Sequence, residues 1–356
     1  MIAKIDLKNL SEIELESYFE KKGEPKFRAQ QLIRWLYKEK VSSFHEMTNF
    51  SKSVREALEK EAYMSRFFLK QKKISQDGTL KFLFELEDEE TIETVLMPYE
   101  DRNTLCISTQ VGCRMGCTFC LTAKQGLKRQ LKASEILNQV IEVEKLLKSG
   151  EVKLPSFSKK DKITNVVMMG MGEAFDNFDN VLQAIHFMTK DIALELAPKR
   201  VTVSTSGLVP KIKELGEKTK VNLAVSLNAS HNKTRSEIMP VNKPYPIEKL
   251  IQETKKFSSQ YKQRKVMLEY VMMKDVNDTE NDALELVKLL KGSNLKVNLI
   301  PFNEHSELSF KQSSLDRLQQ FQDILHRNKV FSFIRWSKGR DVSAACGQLR
   351  SDVIKQ

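Results

Sequence analysis

From about residue 96 onward, strand-like and helix-like runs alternate, and this alternation constrains the fold more than any other feature of the chain. The strand candidates are TLCIST (104–109), ITNVVMMG (163–170), RVTVSTS (200–206), VNLAVSL (221–227), VMLEYVMM (266–273) and KVNLIPF (296–302). Between most of them lie amphipathic helical patterns, such as SEILNQVIEVEKLL (134–147) with Ser134 as its N-cap. The stretch 313–328 closes the series with Leu315, Leu318, Phe321 and Leu325. Strands separated by helices pair in parallel, so six β/α units predict an α/β fold, either an open doubly wound sheet or a partial barrel. In both, ligands gather at the carboxyl ends of the strands.

A chain of 356 residues has room for such a domain and a small accessory one. Residues 1–65 read as mostly helical. Ser11 and Glu14 make a capping box ahead of Leu15, Tyr18 and Phe19. FRAQQLIRWLYKEK (27–40) sets Leu32, Ile33, Leu36 and Tyr37 on one face, a core stripe whose basic flank leaves it open to RNA contact. In FFLKQKKISQDGTLKFLFEL (67–86), Asp77-Gly78 between two β-rich runs signals a hairpin. The expected organisation is a helical accessory domain (1–65), a β-hairpin connecting segment (66–95) and the α/β domain (96–356). GEVKLPSFSKKDK (150–162) reads as a surface loop.

The net charge of +11, from 58 basic against 47 acidic residues, favours a polyanionic partner, and nucleic acid is the commonest. A solvated basic surface is the plain alternative. No run of eighteen apolar residues and no charged-then-apolar leader is present, so neither a membrane span nor a signal peptide is expected, and the default location is cytoplasmic. Five cysteines, an odd number with three crowded together, are a poor pattern for a secreted disulfide framework.

Those three lie in VGCRMGCTFCLTAKQG (111–126): Cys113, Cys117 and Cys120, spaced C-x3-C-x2-C. Zinc sites prefer paired C-x2-C knuckles or added histidines, and His45, His186, His231, His305 and His326 are scattered. Three thiolates on a short loop better suit a [4Fe–4S] cube with one iron left without a protein ligand. The amino and carboxylate groups of S-adenosylmethionine can chelate that iron. An electron passed through the cluster then cleaves the sulfonium bond and makes a 5′-deoxyadenosyl radical. Phe119, between two ligands, would pack near the adenine. The alternative is a zinc knuckle closed by a distant fourth ligand.

With LTAKQG (121–126) following it, the cysteine motif resembles that of the RlmN-type radical SAM RNA methyltransferases, which modify carbon 2 of adenosine. The resemblance runs nearly end to end, through MMGMGEAF (168–175), STSGLVP (204–210), AVSLNA (224–229), EYVMMKDVND (269–278), NLIPFN (298–303) and GRDVSAACGQL (339–349). It implies a partial (β/α)6 radical SAM barrel. It also implies that Gly172, Glu173, Ser204, Ser226, Leu227, Asn228 and Asn303, all at strand ends, contact S-adenosylmethionine. Ala174 stands where the family more often has proline, and Asn228 where histidine is frequent.

The other two cysteines are catalytic in the family. A first S-adenosylmethionine methylates Cys346, because carbon 2 of adenine is too electron-poor to attack a sulfonium methyl. A second, cleaved at the cluster, provides the radical that takes hydrogen from the S-methyl group, and the resulting carbon radical adds to the base. Glu93, in TIETVLMP (91–98), is the implied proton acceptor. Cys106 then attacks the sulfur of Cys346, forming a disulfide and freeing the methylated RNA. The implied partners are 23S rRNA, tRNA and an electron donor such as flavodoxin or ferredoxin, with no membrane. Two rivals accompany this reading. One is the sister enzyme acting on carbon 8 of the rRNA adenosine; CLTAKQG favours the carbon-2 branch and GEAF leans the other way. The second is a non-catalytic, metal-stabilised RNA-binding protein.

Overall fold

The computed structural model describes residues 4–350; residues 1–3 and 351–356, the outermost parts of the two expected end domains, lie outside it. In the N-terminal region, β1 (Ile5–Asp6) pairs in parallel with β2 (Ala62–Tyr63), and α1 (Glu12–Glu20), α2 (Phe27–Ile33) and α3 (Lys52–Glu61) run between them. The expected capping box is present: the Ser11 N–H donates to Glu14 Oε2 at 2.8 Å, and the Glu14 N–H to Ser11 Oγ at 3.3 Å. Beyond α2 the chain continues as a π-helical turn over Arg34–Glu39. Leu32, Ile33, Leu36 and Tyr37 are all fully buried, as their spacing predicted. The basic flank is already ion-paired: Arg28 with Glu24, Arg34 with Glu39, Lys38 with Glu195 and Lys40 with Glu144. The last two pairs tie this region to the α/β domain.

Next come β3 (Phe68–Ile74), β4 (Leu80–Glu85), β5 (Thr91–Pro98) and β6 (Asn103–Cys106), each antiparallel to its neighbour. A separate ribbon, β7 (Gln110–Gly112) with β8 (Leu127–Gln130), encloses the short α4 (Leu121–Lys124). From β6 the sheet continues in parallel through β9 (Asn165–Met168), β10 (Val201–Thr205), β11 (Asn222–Ser226), β12 (Val266–Met272), β13 (Lys296–Pro301) and β14 (Ser332–Ile334). Helices α5 (Ala133–Lys148), α6 (Phe178–Thr189), α7 (Val209–Lys218), α8 (Asn232–Ile238), α9 (Ile247–Gln260), α10 (Glu280–Leu290) and α11 (Leu315–Arg327) connect them.

The order of the ten-stranded sheet settles the choice left open by the sequence. From β6 to β14 the parallel strands follow one another without reversal. A doubly wound sheet needs a reversal to put helices on both faces. With successive right-handed crossovers all advancing the same way, the helices share one face and the sheet curls into a partial barrel. The six predicted barrel strands are all present. The short β14 was missed, because three residues with Ser332 turned inward and Phe333 half exposed carry no apolar alternation.

One expected cap is corrected. The long helix after the cysteine loop starts at Ala133, so Ser134 lies within its first turn, with its Oγ buried and unpartnered. Lys132 takes the cap position: its N–H donates to Glu135 Oε2 at 2.8 Å, and the Ala133 N–H donates to Asn180 Oδ1 at 3.2 Å. The cap is supplied by tertiary structure rather than by the local serine. No described helix is long and apolar enough to cross a membrane.

Candidate active site

At the carboxyl ends of the barrel strands lies a cavity of roughly 1110 Å³, counting its open mouth. Cys113, Cys117 and Cys120 line one end of it, with Phe119 between the last two. Their loop is fixed by backbone contacts. The Cys113 N–H donates to Gly126 O at 2.9 Å, that of Thr118 to Ile238 O at 3.0 Å, and that of Leu121 to Gly347 O at 2.8 Å. Gly112 starts the loop at φ +74°, where a Cβ would sit 1.8 Å from Gly126 O, so no larger residue fits.

The opposite wall carries Gly172, Glu173, Ser204, Ser226, Asn228 and Asn303. Gly172 has φ +101°, and a Cβ there would lie 2.5 Å from Gln110 Cβ; at Gly170 it would lie 2.7 Å from Ile107 O. The close backbone approach read from the glycines is therefore real. Glu173 is buried and accepts from the N–H groups of Phe175 (3.0 Å) and Ser206 (2.6 Å), while burial pushes its carboxyl pKa up. Asn228 has φ +56°, a conformation asparagine tolerates better than most residues. Its Oδ1 accepts from the Val271 N–H at 2.9 Å, and its NH2 donates to Met239 Sδ at 3.3 Å, which leaves one amide proton unengaged. Asn303 donates to Ser337 Oγ (2.9 Å) and Cys346 O (3.3 Å). Leu227 differs from the other six expected contacts. Its side chain is wholly in the core and its N–H donates to Glu269 O at 3.0 Å, so it lines no part of the cavity.

A second cavity of about 540 Å³ adjoins the first and holds Cys106. The two share Met169, Ile300, Arg335, Cys346 and Leu349, so Cys346 stands in the wall between them. All five cysteines are free thiols. Burial pushes the Cys106 pKa up to about 12. Cys346 is accessible from the cavity space, yet the surrounding protein still raises its thiol pKa, with Arg335 pulling in the opposite direction.

The Cys346 segment is held mainly by the β3–β4 hairpin. Asp77 Oδ2 accepts from the Gly339 N–H at 3.0 Å, and Asp341 accepts from the Ser75 hydroxyl and the Gln76 N–H. Lys81 donates to Ser343 O at 3.2 Å and pairs with Glu93 at 2.7 Å. Glu93 also accepts from the Arg350 N–H at 3.1 Å. Glu93 is thus buried beneath the C-terminal segment and lines neither cavity; burial raises its carboxyl pKa while Lys81 opposes the rise.

Three further residues belong to this site although sequence reasoning passed over them. Ser206, in the quoted STSG, lines the first cavity, and its N–H donates to Glu173 Oε2 at 2.6 Å. Arg335 lines both cavities. Arg235 is fully buried and hydrogen-bonds the ends of β10 and β11; a lone arginine in the polar run NKTRSE gives no signal of this.

Among the described residues no three His, Cys, Asp or Glu side chains are already gathered into a metal-holding group. The three thiols nonetheless line one cavity, and burial, with Cys120 and Cys113 close by, raises the Cys117 pKa. No histidine lines that cavity. Three soft sulfur donors, each turning about a single side-chain bond, would fit an iron–sulfur cluster, which would supply one-electron chemistry to this cavity.

Residues 5–64 match the Ribosomal RNA large subunit methyltransferase N-terminal domain family, and residues 107–289 match the Radical SAM superfamily. The chain is 45% identical to the dual-specificity RNA methyltransferase RlmN of Desulfosudis oleivorans, over 98% of this chain and 92% of that one. It is 45% identical to the protein of the same name from Geobacter sulfurreducens, over 99% and 94%. A radical SAM methyltransferase from Sphaerobacter thermophilus superposes with a TM-score of 0.89 at 37% identity, covering 98% of this chain and all of that one.

Proposed function

This chain belongs to the RlmN family of radical SAM RNA methyltransferases, and from that premise we propose that it methylates carbon 2 of an adenosine in 23S rRNA and in tRNA. The superfamily implies a [4Fe–4S] cluster and S-adenosylmethionine. Cys113, Cys117 and Cys120 hold the cluster; Gly172, Glu173, Ser204, Ser226, Asn228 and Asn303 hold S-adenosylmethionine, and Leu227 contributes only backbone. When bound, the pair supplies an electron and a hydrogen-abstracting radical.

The observation that carries the reading is the position of Cys346 in the wall shared by the two cavities. From there one sulfur can accept a methyl group on the cofactor side and present the carbon to a base on the Cys106 side. Arg335, facing both cavities, favours the thiolate form that accepts the methyl group. Cys106 lies where it can attack the Cys346 sulfur to release the product, leaving a transient disulfide. Glu93 takes the carbon-2 proton once the C-terminal segment above it shifts, since its present partners are Lys81 and the Arg350 N–H. Two S-adenosylmethionines are used per turnover, one for the methyl group and one for the radical. The electron comes from a small redox protein such as flavodoxin or ferredoxin, and the enzyme works in the cytoplasm.

RNA mass spectrometry from cells with and without the protein tests this. The expected result is 2-methyladenosine, in rRNA and tRNA, that disappears with the protein. An 8-methyladenosine product would assign the chain to the carbon-8 branch.

A further inference from the structure

We infer that Trp336, with Tyr99 and Lys338, forms a stacking and phosphate-binding entrance for RNA at the mouth of the second cavity. This rests on the function proposed above and adds the residues that take hold of the RNA. The cavity is narrow as the C-terminal segment now lies, and apart from Arg335 and Lys338 its lining is mostly apolar. That suits a flat heterocycle better than a sugar or a phosphate. Trp336 lines the cavity and is nevertheless 50% exposed, so part of its indole faces the interior and part faces solvent. A residue so divided sits at the mouth.

Around it the chain assembles aromatic rings and cations. Lys338 Nζ lies 4.5 Å from the centre of the Tyr99 ring and 5.6 Å from that of Phe157, itself 45% exposed; Arg102 lies 4.1 Å from the Tyr99 ring. Lys338 donates to Pro98 O at 2.7 Å and has no carboxylate partner among the described residues. Two of its three ammonium protons stay available to an anion. Arg102 is paired with Asp101, which leaves Lys338 as the cation open to the backbone. Aromatic faces beside such a cation are what single-stranded nucleic acid needs, the rings for the bases and the charge for the phosphates. A base that must leave its stack to reach Cys346 gains a replacement stack at this entrance. The cluster loop lies on the other cavity, which separates RNA entry from cofactor entry.

The test compares the wild-type protein with Trp336→Ala, Trp336→Phe and Lys338→Gln. Cys346 methylation is read by intact-protein mass spectrometry with S-adenosylmethionine and no RNA. KM is measured with a hairpin RNA carrying an unpaired adenosine. Losing one base–aromatic stack should raise the RNA KM of Trp336→Ala about 5- to 150-fold, and Trp336→Phe should recover most of it. Cys346 methylation should be unchanged in all variants, which also reports that they fold. Lys338→Gln should lower the slope of log affinity against log salt by about 1. A KM for Trp336→Ala within about twofold of wild type overturns the inference, since even the weakest stack exceeds that. So does unchanged RNA binding with slowed reduction of the cluster, which would give this surface to a protein electron donor. If the wild-type Cys346 never gains a methyl group, the parent reading fails instead.

Discussion

Replacing Arg235 with methionine tests whether the cofactor cavity depends on a cation that no carboxylate neutralises. Arg235 is fully buried. Its Nε donates to Leu227 O (2.9 Å), Nη1 to Asn242 Oδ1 (3.1 Å), and Nη2 to Ser206 O (2.6 Å) and Ser226 O (2.9 Å). Burial brings its pKa down to about 10, which corresponds to roughly 3 kcal/mol of desolvation that methionine does not incur. Against this, the substitution leaves four buried acceptors without their donor, at about 1–3 kcal/mol each. The acceptor loss is the larger effect, and taking about 2 kcal/mol for each acceptor a net destabilisation of about 5 kcal/mol follows. Arg235→Lys should recover little, because an ammonium cannot reach four acceptors spread around a planar fork. The strand ends released are those beside Ser204, Ser206 and Ser226, so S-adenosylmethionine affinity should fall about tenfold or more. Denaturant unfolding of the anaerobically purified protein and calorimetric titration of S-adenosylmethionine measure both. Stability within about 1 kcal/mol of wild type, with cofactor affinity within about twofold, would refute the accounting.

Other substitutions separate the roles of the cysteines. Cys117→Ala should yield a protein without the brown colour of an iron–sulfur cluster, whereas Cys346→Ala should keep the colour and make no methylated RNA; methylation by either variant counts against the scheme. Cys106→Ala should attach RNA to Cys346 without releasing it, seen as a shifted band on a denaturing protein gel, and free methylated product at the wild-type rate would remove its release role. The Cys346 thiol is held above its ordinary pKa by burial. Its thiolate fraction, and with it the rate of S-methylation, should therefore rise about tenfold per pH unit through the neutral range and level off only above the raised pKa. Arg335→Gln removes the charge that opposes this rise and should move the profile to more alkaline pH; superimposable profiles would show that Arg335 does not act on the thiol.

Much of this was legible in the sequence because its signals are local. The barrel strands announce themselves as β-branched runs, Asp77-Gly78 as a tight turn, and Cys113, Cys117 and Cys120 as thiols brought to one cavity by their spacing on one loop. Gly170 and Gly172 could be read as sites of close approach, since no other residue allows it. What stayed hidden depends on contacts distant in sequence. Ser134 looked like a cap, but Lys132 and Asn180 supply that end of the helix. Leu227 shares its strand end with Ser226 and Asn228, yet alternation along the strand turns its side chain into the core. The basic flank of FRAQQLIRWLYKEK read as open to RNA, whereas its cations meet Glu24, Glu39, Glu144 and Glu195. Arg235 and Trp336 show no periodicity and no motif.

The hairpin between the two expected domains also gains a purpose that its sequence does not disclose. A sulfur that carries a methyl group between two cavities, as proposed for Cys346, needs a segment held firmly enough to stand in their common wall and loosely enough to move. The restraints on residues 339–350 are polar contacts from separate elements: Asp77 and Ser75 in the hairpin turn, Lys81 on β4, Glu93 on β5, Asn303 after β13, and Leu121 and Thr122 beside the cluster loop. The apolar side chains this segment buries, wholly or partly, are few and mostly small: Val342, Ala344, Ala345 and Leu349. Hydrogen bonds exchange with water at a net cost near 1 kcal/mol each, far less than pulling a large side chain from a packed interior. Such a segment can release Glu93 from its Lys81–Arg350 clasp without unfolding the barrel. The antiparallel strands that extend the sheet therefore act as the mooring for the segment that carries Cys346.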